Sequence, residues 1–199
     1  LVGAADGSAW AVVDPGPDDE VHLDRLVASA PGPIRWILAT LTPHFDTASV
    51  SECVRRRQRG SAERPLLALS FDDGQWDNLA YAAPILAEFG VPATFYLPTD
   101  FIGSDDLLWH DCAAFAWRNS SLSTQQRASL PGIRDHGAAP SDAYGFLRAL
   151  KAASPEQRSE AIASLQSSGT GEPAPPWARL MSWNEARALR TAGHEIGSH

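Results

Sequence analysis

Cysteine is almost missing from this chain: 199 residues hold two, Cys53 and Cys112. So sparse a pair argues against a disulfide framework and for buried free thiols. Positive charge is also scarce, with 16 Lys and Arg against 24 Asp and Glu, a net charge of −8 and a pI near 5.1. That balance argues against nucleic acid, whose phosphates need a basic surface, and against an anionic membrane surface. No apolar run approaches the ~20 residues of a membrane span. What is present is enough for a packed core, with 44% hydrophobic residues and seven Trp. The length suits one domain, or one domain plus part of another. The chain opens on Leu1 rather than Met and closes inside a motif, so the expectation is a fragment cut at both ends.

Three textures follow one another. Residues 1–42 read as strand, helix, strand: Ala9–Val13, then a helix capped by Asp18 or Asp19 with Val21, Leu23, Leu26 and Val27 on its apolar face, then Ile34–Leu41. Residues 43–64 read as a linker, and the basic run Val54–Gly60 as a solvated helix end or loop rather than an anion site. From residue 65 the alternation resumes. The run Leu66–Phe71 predicts a buried strand. A helix is expected over about 82–89, with Pro84 in its first turn and Gly90 as its stop. Ala93–Leu97 predicts the next strand, and strand–helix–strand order implies a parallel pair with a right-handed crossover. Residues 104–176 read as a helical insertion. Leu108, Cys112, Phe115 and Ala116 recur at helical spacing, and Ser154-Pro155-Glu156-Gln157 is a capping box with Pro at the first helical position. Ser182-Trp183-Asn184-Glu185 is a second capping box, opening a helix that Gly193 stops before a strand over His194–Ser198.

The chemistry gathers at two strand ends. Ser70-Phe71-Asp72-Asp73-Gly74 closes an apolar strand with two adjacent carboxylates and a glycine. Burying even one carboxylate is costly unless it is paired or binds a cation. Successive side chains on a strand point to opposite sides, so the two acids meet different surroundings and can do different jobs. The last strand ends on His199. In parallel α/β folds, reacting groups collect at the C-terminal ends of strands. A carboxylate with imidazoles is a usual ligand set for a hydrolytic divalent cation, and a second carboxylate nearby can accept a proton from water. An ordinary turn is the competing reading for Asp72-Asp73-Gly74.

Together these residues resemble the polysaccharide deacetylases, the NodB-homology or family 4 carbohydrate esterase group. Ser70–Gly74 matches the first motif, with Ser70 where Thr is usual. Gly193-His194-Glu195-Ile196-Gly197-Ser198-His199 matches the approach to the second. Gly90–Tyr96 and Met181-Ser182-Trp183 match the stretches between, so the resemblance covers about 65–199. It implies a partial, distorted (β/α) barrel with the helical insertion at 104–176. It implies Asp72 as catalytic base, Asp73 and His199 as metal ligands, and a divalent cation, zinc first with cobalt or nickel as alternatives. It further implies an N-acetylated glycan as substrate and removal of its acetyl groups by hydrolysis. A second metal histidine is expected four residues beyond His199, with the catalytic acid later still, so the fragment alone is expected to be inactive. His194 is expected to be structural. His110 and Asp111 are expected to face water from a helix. Trp76 and Tyr96 could line a sugar cleft or belong to the core.

The first forty residues resemble the opening of a metallo-β-lactamase-fold domain, through Val12-Val13-Asp14-Pro15-Gly16-Pro17 and Ile37-Leu38-Ala39-Thr40. The metal motif Thr-His-x-His-x-Asp-His should follow. The sequence instead reads Thr40-Leu41-Thr42-Pro43-His44-Phe45-Asp46, with one His and one Asp out of register. Two readings therefore stand beside the deacetylase: a metallo-β-lactamase-like hydrolase, and a carbohydrate-binding barrel that has lost its chemistry.

Overall fold

A computed structural model describes residues 38, 41–60, 64–134, 140–170 and 178–199. The described residues fall into two compact units. One is built from residues up to 106 together with those from 178 onward, and the other from 107–134 and 140–170. The expected strand Ala9–Val13 and the helix from Asp18 lie outside the described residues. Leu38 and Leu41, expected at the end of a strand, are helical instead, and Thr42 N–H donates to the Leu38 carbonyl at 2.9 Å.

In the first unit, β1 (Asp46–Thr47) pairs in parallel with β2 (Leu66–Leu67). The chain then steps across Ala68-Leu69 into β3 (Ser70–Phe71). This strand joins a second parallel sheet in the order β3, β4 (Thr94–Leu97), β5 (Glu195–Ser198). The expected strand 66–71 is therefore one apolar run shared between two sheets. Parallel pairing of the strands before and after the 83–88 helix agrees with the sequence reading. Closure into a barrel does not appear among the described residues, whose sheets have two and three strands. Closing a small barrel takes about eight.

The segment 43–64, expected to be a linker, carries β1 and the helix α1 (Val50–Arg59). Its basic run is solvated as expected, but the helix is anchored by Cys53, which is fully buried beside Ala48, Leu66 and Ala68. Glu52 pairs with Arg55 at 3.0 Å and with Arg56 at 2.9 Å, and Gly60 closes the helix in the left-handed region. After β3, a π-helical turn (Asn78–Ala82) runs into α2 (Ala83–Glu88), with Pro84 in its first turn and Gly90 at φ 64° behind it. The helix α7 (Trp183–Thr191) opens on the capping box read from Ser182 and Glu185.

Register explains the core. Phe71 is paired with Phe95 and Phe95 with Ile196, so one face of the sheet is apolar. The two Phe rings stack 4.9 Å apart, and Phe95 is fully buried with Leu67, Leu86, Leu97, Met181 and Leu189 around it. Burying a side chain of that size contributes about 1.5–3 kcal/mol. The other face carries Ser70, Thr94 and Glu195 in one row, then Tyr96 beside Gly197.

The second unit is helical: α3 (Trp109–Asn119), α4 (Thr124–Ala128), α5 (Ala143–Ala152) and α6 (Pro155–Ser167). Its core centres on Trp117, Phe146, Leu150 and Leu165, with Trp117 and Phe146 stacked at 4.9 Å. The capping box at Ser154 forms as read, and a further one at Ser123 and Gln126 opens α4. His110 and Asp111 lie 3.8 Å apart on α3. Cys112, expected to be buried, is half-buried.

Candidate active site

Asp72 and Asp73 follow β3 directly, and His199 follows β5, so all three sit at C-terminal strand ends of one parallel sheet. The pairing of β4 with β5 extends to the last residue, since His199 N–H donates to the Leu97 carbonyl at 2.9 Å. This fixes where the imidazole starts. The acid pair is fixed by a tight turn. Asp73 has φ 65°, the one non-glycine residue in the left-handed region among the described residues, and Gly74 N–H donates back to the Asp72 carbonyl at 2.8 Å. Asp tolerates that region better than most residues, yet such a conformation still costs about 1–3 kcal/mol.

Gly74 needs to be glycine for two reasons. Its φ is 61°, and a Cβ would lie 2.8 Å from Leu97 Cδ2 and 3.3 Å from Ile102 Cδ1. Its carbonyl accepts from Met181 N–H at 2.9 Å, the neighbouring Gln75 bridges Leu180, and Trp76 N–H donates to the Arg179 carbonyl at 2.9 Å. The turn that carries the acids is therefore clamped on one side by β4 and on the other by the approach to α7.

The imidazole of His199 faces both acids. Its Nε2 lies 3.9 Å from Asp72 Oδ2 and its Nδ1 lies 4.0 Å from Asp73 Oδ1. All three side chains are open to solvent, at 47% for Asp72, 36% for Asp73 and 49% for His199. These separations exceed a hydrogen bond. They leave a polar, accessible gap with a carboxylate oxygen and an imidazole nitrogen on opposite sides. Two ligands at ~2.0–2.1 Å from a tetrahedral cation stand about 3.4 Å apart. Both separations are about half an ångström wider than that and nearly equal, so the distances alone set either acid beside His199 on the same footing. No group of three or more His, Cys, Asp or Glu side chains able to hold a metal ion occurs among the described residues.

The alignment of these elements has a counterpart in sequence. A family model for polysaccharide deacetylases matches residues 59–199. The chain belongs to the polysaccharide deacetylase family. In structure it is similar to the BpsB deacetylase domain from Bordetella bronchiseptica, at 17% identity and a TM-score of 0.39, covering 83% of this chain and 41% of that one. It is also similar to IcaB from Ammonifex degensii, at 12% identity and a TM-score of 0.31, covering 79% of this chain and 88% of that one. The polysaccharide deacetylase chain described here thus spans well under half the length of the BpsB domain it matches. No curated protein matches it in sequence.

Other residues singled out in the sequence are placed as follows. His194 is buried, and its Nδ1 accepts from Ala93 N–H at 3.2 Å while its ring meets Phe95 edge-on at 5.2 Å. Burial holds its pKa below the ordinary 6.5. Tyr96 lies against Gly197, where a Cβ would come within 2.7 Å of the ring. Burial and the charges of Glu195 and Asp72 raise the phenol's pKa. Asp46, from the broken histidine motif, pairs with Arg64 at 3.3 Å.

Sequence reasoning missed a polar network at the other end of the same sheet. Glu195 accepts from Ser51 N–H at 3.1 Å, from the Ser51 hydroxyl, and from Thr94 Oγ1 at 3.2 Å. Thr94 Oγ1 in turn accepts from Val50 N–H at 2.9 Å. Burial pushes the Glu195 carboxyl up, but hydrogen bonds from Ser49, Ser51 and Thr94 together outweigh it and leave the pKa lowered. A cavity of about 540 Å³ opens there, lined by Ser51, Arg55, Arg56, His194 and Glu195. It stands at the N-terminal ends of β4 and β5, opposite the acid pair.

Proposed function

We propose that this chain carries the leading half of a metal-dependent polysaccharide deacetylase site, which hydrolyses the N-acetyl groups of an N-acetylated glycan. The observation that carries the reading is the convergence of Asp72, Asp73 and His199 at the ends of β3 and β5, in the motifs of the family that matches 59–199. In this reading Asp73 and His199 are two ligands of a divalent cation, zinc first and cobalt or nickel as alternatives. Such a cation polarises a carbonyl and lowers the pKa of water to about 7 in favourable sites. Asp72, 3.9 Å from the same imidazole, is assigned the proton rather than the cation because it holds the first acid's place in the family motif. Its carboxylate accepts the proton of the water that adds to the amide carbon. The C–N bond then breaks as the departing nitrogen takes a proton from the catalytic acid expected later in the family's motifs, giving acetate and a free amine on the sugar, and Asp72 returns its proton to solvent. Solvent access to all three side chains suits a polymer that must reach the gap from outside. The family-implied domain would begin ahead of residue 65, because α1 and β1 belong to the same compact unit.

The test separates the two acids in the full-length protein. Asp72→Asn should leave metal content near that of the wild type and cut acetate release by roughly 10²–10⁴-fold, the range of a lost general base. Asp73→Asn should lower metal content and turnover together. Exchanged phenotypes would reverse the roles, and full activity in both variants would reject the site.

A further inference from the structure

Beside the acid pair lies a patch of aromatic surface for which the fold gives no packing reason. Tyr81 is 57% exposed, the most exposed large hydrophobic side chain among the described residues. It sits on the π-helical turn Asn78–Ala82, a local geometry that recurs at functional sites. The first residue of that turn reaches back to the site, with Asn78 Nδ2 donating to the Asp72 carbonyl at 3.4 Å. Tyr81 has one aromatic neighbour, Trp76, whose ring meets it edge-on at 6.2 Å. Trp76 is in turn covered on one side by the Arg179 guanidinium, 4.9 Å from the ring centroid. Arg179 is locked by two hydrogen bonds to Glu185, of 2.7 and 3.0 Å. That carboxylate is ionised at any working pH, because the Arg179 hydrogen bond, with help from Ser182, brings its pKa to about 2.

The result is a braced shelf of two rings, Trp76 four and Tyr81 nine residues beyond Asp72, edged by a paired guanidinium and carboxylate. We propose that Tyr81, Trp76 and Arg179 form a carbohydrate subsite that takes a neighbouring sugar of the glycan, next to the unit whose acetyl group is removed. The inference rests on the deacetylase reading and extends it to the length of chain recognised. An aromatic face is apolar and matches the C–H face of a pyranose ring. The ion pair offers donors and acceptors to the hydroxyls at the ring's rim. The shelf is rigid before binding, since Trp76 is held by its backbone bond to Arg179 and by the guanidinium above it. The register of Trp76 opposite Arg179, two residues past the Gly74–Met181 bond, sets the shelf adjacent to the acid turn.

The experiment compares substrates by length in the full-length protein. The probes are N-acetylglucosamine and its β-1,4- and β-1,6-linked pentamers, read by acetate release, with pentamer affinity measured separately on Asp72→Asn. Tyr81→Ala should lower the pentamer-to-monomer ratio of kcat/KM about three- to tenfold through KM, and lower pentamer affinity by the same factor. Tyr81→Gln should do likewise, and Tyr81→Phe should retain wild-type values because the ring face is kept. If the wild type releases acetate and both ring-deleting variants keep its ratio and affinity, the subsite is wrong while the deacetylase reading stands. If the wild type releases acetate from none of the three probes and does not bind them, the deacetylase reading fails and the subsite falls with it.

Discussion

The ring of Tyr96 rests on Gly197, its partner in register across β4 and β5: a methyl group at 197 would lie 2.7 Å from Cδ1 and 2.8 Å from Cε1. The glycine that precedes Ser198 and His199 is thus required for space. Gly197→Ala should displace the Tyr96 ring and strain β5, at a cost of about 1–3 kcal/mol. Since β5 delivers His199, activity should fall along with stability. Urea midpoints of Gly197→Ala, Tyr96→Ala and the double variant test this. The double variant should recover most of the loss, and simple additivity would show that the contact carries no energy.

His194 gives a pH dependence with a definite sign. Its Nδ1 must be unprotonated to accept from Ala93 N–H, and burial lowers its pKa from 6.5. The groups facing it are the Phe95 ring and, around the adjoining cavity, Glu52, Arg55, Arg56 and Glu195. The unfolded chain takes up a proton near pH 6.5, where the folded chain does not. This part of the stability is therefore whole above pH 6.5 and is lost as pH falls through the depressed folded value. The slope is at most ~1.4 kcal/mol per pH unit. Glu185 and Glu195 also have lowered pKa values, but they withdraw stability only below about 4.5, so the fall between 6.5 and 4.5 is not theirs. His194→Gln keeps an acceptor without a titrating group. It should flatten the denaturation midpoint between pH 6.5 and 5, and a slope unchanged by that substitution would rule His194 out.

Much of this was legible from local signals. The capping boxes at Ser154 and Ser182, the stops at Gly90 and Gly193, and the strands around Phe95 and Ile196 are all set within a few residues, and the structure has them. Asp72, Asp73 and His199 could be grouped in advance because each closes a strand readable in the sequence and because the motifs around them resemble one family, whereas the order of the strands came only with the structure. What escaped depends on distant partners. The run Arg55–Arg59 looks solvated in isolation, and only the burial of Cys53 against Leu66 and Ala68 shows that its helix belongs to the fold. The bond between Ser51 and Glu195 joins residues 144 apart, and the stack of Arg179 on Trp76 joins residues just as unrelated in local pattern. The strand read over 66–71 was right in burial and wrong in continuity. Periodicity reports burial, whereas the change of sheet at Ala68-Leu69 depends on the neighbouring strands.

The contact between Ser51 and Glu195 ties α1 to the sheet that carries the acid pair, and the prediction is that the working domain includes that helix. Glu195 occupies the N-terminal end of α1, where free N–H groups favour a carboxylate, and ties that helix to β5 four residues before His199. Val50 N–H on Thr94 Oγ1 ties it to β4 as well. Removing residues 1–60 from the full-length protein would strip both anchors, uncover Leu66 and Ala68, and leave the buried Thr94 hydroxyl short of a partner. That deletion should prevent cooperative folding or lower the melting temperature sharply. Removing residues 1–36 keeps Leu38, β1 and α1, and should leave the melt and acetate release close to those of the intact protein. Between these extremes, Glu195→Ala should cost about 1.5–3 kcal/mol, the value of hydrogen bonds to a charged group. Glu195→Gln should cost less, because it keeps an acceptor for Ser51. Should the 1–60 deletion fold and melt like the intact protein, α1 would be an appendage, and the domain would begin near residue 65 after all.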